Sequence, residues 1–353
     1  TTDIPFIKPS NISDDAISYL HNSEFYISEY AREKSRIVPV DSILFTCIGI
    51  IGKIAVNKVE CAFNQQINAI IPDKSKCLTD YLVYALQSKK RLLQETANAP
   101  VVPILNKTQF SEIEIELPSL EQQEKISVQL NKINDLISQR NLQLSKLDEL
   151  VKSRFIELFG DPETNPKGLK KVLLSDIAEY YNGLTYVPDN VSEFGTVVLR
   201  SSNIQNSQLD FTDTVRVDCS VKEKLLVKEN DILMCSRNGS ARLVGKVALI
   251  KNLTEPMSFG AFMMIIRSKY YPYLMSYFQM DAFRRQIKTG ATTTINQITG
   301  NMLNKISLPL PEMDDINEFA KFVEETDKLK FAVQQALDKA QLLFDSLMQK
   351  YFE

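Results

Sequence analysis

The clearest pattern in the sequence is a heptad spacing of apolar residues in two long segments, 126–158 and 319–351. No glycine or proline interrupts the first segment, which predicts a helix of roughly 33 residues and about 50 Å. The apolar stripe of each segment is too narrow for a helix that is buried on all sides. Each stripe is typical of a coiled-coil seam, which needs a partner helix. The seam positions are Leu130, Ile137, Leu144, Val151, Leu158, Val323, Leu337 and Phe344.

The nearest partner for each predicted helix is the other one. Arg140 and Lys330 interrupt the two seams, and polar residues at such positions fix the register more often than they add stability. We therefore predict an antiparallel pair that forms a rigid spacer. The alternative is that each helix packs only on the domain that precedes it.

Both helices follow a similar junction, LPSLEQQEKI at 117–126 and PLPEMDDINEF at 309–319. The similarity extends upstream, because a shift of about 193 residues aligns YLVYALQ (81–87) with YLMSYFQ (273–279) and GKIAV (52–56) with GKVAL (245–249). IPFIKPSNI (4–12) aligns with TVVLRSSNI (196–204). The chain is thus predicted to contain two tandem copies of one unit, each a domain followed by a helix.

The domains contain short apolar runs that open into polar loops, such as SILFTCIGI and DILMCSRNGS, which are typical of strands. The predicted fold class is α+β, with two strand-rich α/β domains separated by two long helices that form an antiparallel coiled coil. The predicted boundaries are 1–118 for the first domain, 119–161 for the central helix, 162–309 for the second domain and 310–353 for the C-terminal helix.

Charge is distributed unevenly along the 353 residues. The net charge is −3, yet residues 162–309 contain 18 Lys and Arg against 13 Asp and Glu, whereas residues 310–353 contain 5 against 10. The second domain is therefore mildly basic, which is typical of a nucleic-acid-binding face, although a scatter of solvated charges gives the same balance.

Composition excludes several classes of site and location. No apolar run is long enough for a membrane span, and the first residues lack the pattern of a signal peptide, so we expect a cytoplasmic protein without membrane contact. The five cysteines include no CxxC pair, which favours free thiols over disulfides or zinc. The single histidine, His21, has no partner pattern nearby, and this argues against His-dependent catalysis and His-ligated metals.

Three polar loops of the second domain are candidates for DNA contacts. Arginine and asparagine side chains read guanine and adenine edges, and glycines let backbone N–H groups approach phosphates. The loops are LRSSNIQNSQ (199–208), CSRNGSARLVGK (235–246) and KTGATTTINQITGN (288–301). Their candidate residues are Arg200, Ser202, Asn203, Ser236, Arg237, Asn238, Arg242, Lys246, Thr293, Asn296 and Gln297.

The first domain offers weaker candidates in the matching places: Lys8, Asn11, Lys53, Asn64, Gln65 and Gln66. The loop CIGIIGK (47–53) resembles a P-loop only superficially, because Ile54 follows Lys53 where Ser or Thr would bind magnesium. Its glycines are better explained by a turn. We find no dinucleotide-binding, methyltransferase, zinc-protease or nucleophile-elbow motif, so catalysis by this chain is not expected.

The two junctions and helices resemble the specificity subunit of type I restriction–modification systems. The segment IELPSLEQQEKISVQLNKIN…LDELVKSRFIELFGD (115–161) carries most of the resemblance, with a weaker copy at 308–353. The resemblance implies that each domain is a target-recognition domain that reads half of a bipartite site in double-stranded DNA. It also implies that the helices set the spacing between the halves.

The same resemblance implies specific partners. The helices would dock modification (methyltransferase) subunits, two of them in the usual complex, and the restriction (ATP-dependent nuclease) subunits would join through that complex. No cofactor is expected on this chain, since S-adenosylmethionine and ATP would bind the partner subunits. The main alternatives are a coiled-coil scaffold that does not read DNA sequence, and an enzyme such as a nuclease–methyltransferase fragment.

One departure from the family pattern concerns the start of the first domain. The second domain begins with PKGLKKVLLSDIAEYYNGLTYVPDN (166–190), and the first has no counterpart because residue 1 already aligns with about residue 193. We expect either a chain shortened at its N-terminus or a first domain that is completed by a segment from elsewhere.

Overall fold

The computed structural model describes residues 3–14, 17–97, 102–288 and 297–352. The chain divides into two compact units, residues 1–143 with 333–353 (unit 1) and residues 144–332 (unit 2). Both long helices therefore contribute to both units, which differs from a division into four consecutive segments. No helix among the described residues is long and apolar enough to cross a membrane.

Unit 1 contains two four-stranded sheets, ordered β3-β1-β7-β4 and β2-β6-β5-β8. Its strands are β1 Ile4–Ile7, β2 Ser18–Leu20, β3 Tyr26–Ile27, β4 Ile37–Val38, β5 Ile43–Thr46, β6 Ile54–Asn57, β7 Cys61–Phe63 and β8 Ile67–Ile70. Its helices are α1 Thr79–Ser88, α2 Lys90–Thr96, α3 Lys107–Ser111 and the first part of α4 Leu120–Phe159.

Unit 2 contains the four-stranded sheets β11-β15-β12-β18 and β10-β19-β16-β17 and the pairs β13-β14 and β20-β9. The strands are β9 Lys171–Leu173, β10 Glu179–Asn182, β11 Val191–Ser192, β12 Thr196–Leu199, β13 Ile204–Gln205, β14 Gln208–Leu209, β15 Val215–Val217, β16 Ile232–Cys235, β17 Val247–Leu249, β18 Met257–Phe259, β19 Met263–Arg267 and β20 Ser307–Pro309. The helices are α5 Tyr271–Tyr277, α6 Asp281–Lys288, α7 Gly300–Leu303 and the first part of α8 Met313–Phe352.

The units repeat the same fold down to single hydrogen bonds. The antiparallel pairs β5–β6 and β5–β8 of unit 1 correspond to β16–β17 and β16–β19 of unit 2. The hydroxyl of Tyr81 donates to the carbonyl of Glu116 at 2.9 Å, and that of Tyr273 donates to the carbonyl of Pro309 at 2.6 Å. Both tyrosines thus hold the segment that leads into the long helix, as the repeat in the sequence predicts.

The long helices pack antiparallel within each unit. In unit 1, the early α4 residues Leu130 and Ile133 share a core with Phe344 near the end of α8. In unit 2, Phe155 near the end of α4 packs against Phe319 near the start of α8, with ring centroids 5.7 Å apart. The predicted seam residues are all buried or half-buried. Each helix end also packs on a domain core, and the alternative in which each helix packs only on the domain that precedes it is wrong.

Lys330, one of the two polar residues in the predicted seams, has a specific partner. Its ammonium group lies 2.7 Å from the carboxylate of Asp148 in unit 2. An ion pair between facing helices favours one register over its neighbours, as expected for a polar seam position.

The glutamine-rich junction is explained by Gln123, which is fully buried. Its side-chain oxygen accepts from the backbone N–H of Leu78 at 2.9 Å, and its amide donates to the carbonyls of Lys76 at 2.9 Å and Pro118 at 2.8 Å. The amide therefore joins the first turn of α4 to the loop before α1. In the second copy the equivalent residue is Ile316, which is buried in the apolar core of unit 2.

Replacing Gln123 by glutamate is expected to destabilise unit 1 by about 1–3 kcal/mol. The substitution keeps the shape but turns the donor toward two carbonyl groups into a carboxylate oxygen that repels both. The unfolding free energy of unit 1, measured by urea titration with hydrogen exchange, checks the effect. The adjacent Gln122→Glu is the control, because the side chain of Gln122 is exposed and its oxygen accepts from the N–H and the hydroxyl of Ser119, as a carboxylate also can. Equal effects of the two changes would contradict the role of Gln123.

Candidate nucleic-acid interface

Three loops that are distant in the sequence meet in unit 2 beside the start of β19. The backbone N–H groups of Ser236 and Arg237 both donate to the carbonyl of Phe262, at 2.9 and 3.0 Å. The N–H of Ile298 donates to the carbonyl of Ser236 at 2.7 Å, and Arg237 forms an antiparallel bridge with Gln297. The loop after β16 is thus fixed on one side by the β18–β19 turn and on the other by the segment before α7.

The loop after β12 joins the same group. The side-chain amide of Asn238 donates to the hydroxyl of Ser201 at 3.3 Å, and its oxygen accepts from the N–H of Ser240 at 2.9 Å. We call Ser201, Arg237, Asn238, Arg242, Phe262 and Gln297 the loop cluster. Thr293 and Asn296, which were predicted for this surface, lie outside the described residues.

The loop cluster presents positive charge and one large aromatic ring. Arg237 and Arg242 are exposed, and the guanidinium of Arg237 lies 5.4 Å from the ring centre of Phe262. Phe262 is 58% exposed, which is unusual for a phenylalanine next to a buried strand. Neither arginine forms an ion pair with a carboxylate in the part of the chain that the structure describes. Their charges are therefore available to an anionic partner.

Other predicted contact residues of unit 2 have structural partners instead. Asn203 is 1% exposed; its oxygen accepts from the N–H of Arg200 at 2.8 Å, and its amide donates to the carbonyls of Asp210 and Asp213. The guanidinium of Arg200 donates to the carboxylate of Asp213 at 2.7 and 2.8 Å. These side chains shape the loop, and we do not assign bases to them.

Three further predicted residues of unit 2 contribute to the surface less directly. Ser236 is buried, and its hydroxyl donates to the carbonyl of Phe262 at 3.0 Å. Ser202 and Lys246 are half-buried. Of these three, only Lys246 carries a charge, and it extends the positive region of the loop after β16.

The loop conformation after β16 depends on Gly245, whose φ of +79° is disfavoured for other residues. A Cβ at Gly245 would lie 2.7 Å from a guanidinium nitrogen of Arg284, which donates to the carbonyl of Val244. Burial lowers the pKa of Arg284. The sequence analysis did not single out Arg284, which lies in the basic helix α6.

In unit 1, Lys53 is internal and is not a surface contact. It is 9% exposed, and its ammonium donates to the carbonyl of Ile12 at 3.1 Å and lies 3.1 Å from the carboxylate of Asp14. These bonds hold the ammonium group of Lys53 against the backbone, away from the exposed surface. We therefore correct the placement of Lys53 and remove it from the candidate surface.

The other candidates of unit 1 form local structure of their own. The ammonium of Lys8 lies 3.3 Å from the ring centre of Phe25, and Asn11 accepts from the N–H of Lys8 at 2.9 Å. The amide of Asn64 donates to the side-chain oxygen of Gln66 at 2.9 Å, while Gln65 is exposed.

The surface of unit 1 that corresponds to the loop cluster is apolar. Ile48, which corresponds to Arg237, forms an antiparallel bridge with Ile104, just as Arg237 does with Gln297. Ile50 and Ile104 are about half exposed. The same scaffold therefore carries different chemistry in its two copies.

The described residues contain no group of three or more His, Cys, Asp and Glu side chains placed to hold a metal ion. All five cysteines are free thiols, and burial raises the pKa of Cys47 and Cys61 to about 11.

The sequence analysis did not predict Phe262 and Ser201 as members of the loop cluster, because a strand-flanking phenylalanine and a loop serine have no distinctive spacing.

Two stretches of the chain, residues 1–146 and 166–341, match the model of the type I restriction modification DNA specificity domain. The chain belongs to this family. The two matches coincide with the two copies of the repeat, so each copy corresponds to one specificity domain.

Curated specificity subunits are 24–32% identical to the chain over the stretches that match. A stretch of 145 residues, 40% of the chain, is 32% identical to the specificity subunit of type I restriction enzyme MjaIX from Methanocaldococcus jannaschii and covers 33% of that protein. The MjaVIII specificity subunit from the same organism is 24% identical over 287 residues, which cover 73% of the chain and 66% of that subunit. The matched stretches thus span between about a third and two thirds of the length of these relatives.

A solved structure supports the specificity-domain fold. The S subunit of a type I restriction–modification system from M. genitalium matches with a TM-score of 0.55 at 14% identity, covering all of the chain and 93% of that subunit. A structure described for complex assembly of the type I system matches with a TM-score of 0.53 at 16% identity. The predicted α+β architecture with two long helices is confirmed.

Proposed function

We propose that the chain is the non-catalytic DNA sequence-recognition subunit of a type I restriction–modification complex. The observation that carries the proposal is the loop cluster, in which four segments of a DNA specificity domain converge on one exposed surface. Its two arginines, Arg237 and Arg242, pair with no carboxylate among the described residues. The named relatives are specificity subunits, and this supports the same role here.

The chemistry of the loop cluster suits a DNA groove. Arg237 can donate two hydrogen bonds to guanine, whereas Arg242 and Lys246 suit phosphates. The side chain of Asn238 holds the loops after β12 and β16 together, because it bonds to Ser201 and Ser240. Phe262 adds an apolar surface for a base or a thymine methyl group. Phosphate contacts would supply affinity and salt dependence, and the base contacts would supply the choice of sequence.

We further propose that the two units read different halves of a bipartite site. The exposed isoleucines of unit 1 can contact thymine methyl groups but cannot donate hydrogen bonds to guanine, whereas Arg237 of unit 2 can. Gln65 and Gln66 are the side chains of unit 1 best suited to adenine. Because the exposed side chains of the two units differ, we expect the two half-sites to differ in sequence.

The long helices are the proposed docking surface for two modification (methyltransferase) subunits. Exposed apolar side chains can mark interaction sites, and both helices carry several of them. In unit 1 these are Val128, Leu136, Leu142, Leu342 and Leu343, and in unit 2 they are Leu150, Ile156, Leu329 and Phe331. Restriction subunits would join through that complex, and S-adenosylmethionine and ATP would bind the partners and not this chain.

Sequencing of methylated DNA tests the proposal. A host without its own methylation would express the chain together with modification subunits of the family. We expect methylation at one bipartite motif, and none when the chain is left out. A complex that assembles but methylates no defined sequence would favour a coiled-coil scaffold, and methyl transfer by the purified chain alone would indicate an enzyme.

A further inference from the structure

The loop after β16 in unit 2 and the equivalent loop after β5 in unit 1 close in the same way. In unit 2, the N–H of Gly245 donates to the carbonyl of Cys235 at 2.8 Å. In unit 1, the N–H of Gly52 donates to the carbonyl of Thr46 at 3.1 Å. Both glycines have a positive φ, of +79° at Gly245 and +92° at Gly52. Between these equivalent ends the two loops differ in length and in sequence.

In each unit, one helix side chain binds the carbonyl group that directly precedes the closing glycine. The guanidinium of Arg284, in α6, donates to the carbonyl of Val244. The side-chain amide of Gln94, in α2, donates to the carbonyl of Ile51 at 3.0 Å. Val244 and Ile51 are both buried. The same point of each loop is therefore fixed by a hydrogen bond from outside the loop.

Arg284 and Gln94 occupy equivalent places in their helices. Gln94 directly follows Leu93 and Arg284 directly follows Phe283, and both of these apolar neighbours are fully buried in the core of their unit. The two donors differ in length and charge, yet they bind the equivalent carbonyl. The anchoring bond is thus present in both copies of the repeat, although the loops that it holds have different sequences.

In unit 2 the anchored part of the loop carries an exposed cation. Two successive turns, 240–243 and 243–246, are each closed by a backbone hydrogen bond, at 3.0 and 3.2 Å. Arg242 lies in the first turn and is exposed, and Val244, which Arg284 holds, lies in the second. Loss of the anchoring bond would release the second turn, and the position of Arg242 would no longer be fixed.

We propose that Arg284 and Gln94 are positioning residues for DNA recognition, each of which holds the DNA-facing loop of its own unit. The inference rests on the proposed function of the chain. Arg284 acts through Arg242, the candidate phosphate contact of the same loop. Gln94 acts through a loop whose exposed apolar residue, Ile50, carries no charge.

Binding of the cognate DNA site by the assembled methyltransferase, measured over a range of salt concentrations, tests the role of Arg284. We expect Arg284→Ala to weaken binding roughly tenfold. It should also reduce the slope of log affinity against log salt by about one, as the loss of one phosphate contact does. Arg284→Gln removes the same charge but keeps a donor of the kind found at Gln94, so it should restore the slope and most of the affinity. Arg285→Ala is the control, because the exposed Arg285 pairs with Glu163.

A double-mutant cycle determines whether Arg284 acts through Arg242. Both substitutions by alanine would remove the same phosphate contact, so the double variant should bind within about twofold of Arg242→Ala alone. Hydrogen exchange in Arg284→Ala should become faster in residues 240–246 and stay unchanged in β16 and β19.

Gln94→Ala provides the matching test in unit 1. We expect it to weaken binding roughly threefold without changing the salt slope, because its loop presents an apolar side chain and no phosphate contact. Discrimination should relax only in the half-site at which Arg237→Ala leaves it intact.

Three results would overturn the inference while the wild-type complex still reads its motif. They are additive losses for Arg242→Ala and Arg284→Ala, equal losses for Arg284→Ala and Arg284→Gln, and faster exchange throughout unit 2 in Arg284→Ala. A wild-type complex that reads no defined sequence would instead overturn the proposed function, and this inference with it.

Discussion

Replacing Phe155 by alanine is expected to lower the unfolding free energy of unit 2 by about 3–5 kcal/mol. Phe155 is fully buried near the end of α4, and its ring stacks on Tyr273 with centroids 5.1 Å apart. It also meets the edges of Phe159 at 4.9 Å and Phe319 at 5.7 Å. The substitution removes the ring that joins the two helices to the domain core, and the rigid neighbours cannot close the cavity.

Urea titration with hydrogen exchange of peptides from unit 2 measures this change separately from unit 1. Ile156→Ala is the matched control, because Ile156 is the next residue of the same helix and is 44% exposed. We expect the control to change the free energy by less than about 1 kcal/mol. Similar losses for both variants would show that the aromatic cluster does not hold unit 2 together.

Replacing Arg237 by alanine is expected to weaken binding of the cognate site by roughly 5- to 150-fold, which corresponds to the 1–3 kcal/mol of a bidentate base contact. The loss should be specific to one half of the site, where discrimination at one base pair relaxes. Competition binding of the assembled methyltransferase with DNA duplexes altered one base pair at a time measures both effects.

Arg285→Ala is the matched control for Arg237. Arg285 is an exposed arginine of the same unit, and its guanidinium pairs with the carboxylate of Glu163. The two substitutions remove the same charge, so a non-specific electrostatic effect would appear in both. A loss confined to the Arg237 variant but equal for all DNA sequences would identify a phosphate contact and not a base contact.

The repeat and the helices could be predicted from sequence because both depend on spacing that survives divergence. Leu130 and Phe344 follow the heptad pattern and lie in the seam of unit 1. Phe155 and Phe159 do not follow it, since the end of α4 turns a different face toward the domain core of unit 2. Heptad periodicity identifies the face of a helix that packs on a partner helix, but it does not identify the face that packs on a domain core.

Individual site residues were harder to predict, because polar residue types do not indicate whether a side chain faces solvent. Lys53 and Asn203 are residue types typical of DNA contacts, yet each donates hydrogen bonds to backbone carbonyls inside its unit. Phenylalanine is typical of a protein core, yet Phe262 is exposed because it lies in the turn before β19 and not in the strand itself. The convergence of three loops depends on long-range strand pairing, which no local pattern encodes.

The division of each long helix between two units has a consequence for synthesis on the ribosome. Unit 2 is one continuous stretch, residues 144–332, whereas unit 1 needs residues 333–353 to cover Leu130 and Tyr84 with Phe344. The domain that is translated first is therefore completed last. Until the final turns of α8 emerge, the nascent chain holds a finished second domain and a first domain whose apolar helix face is still open to chaperones.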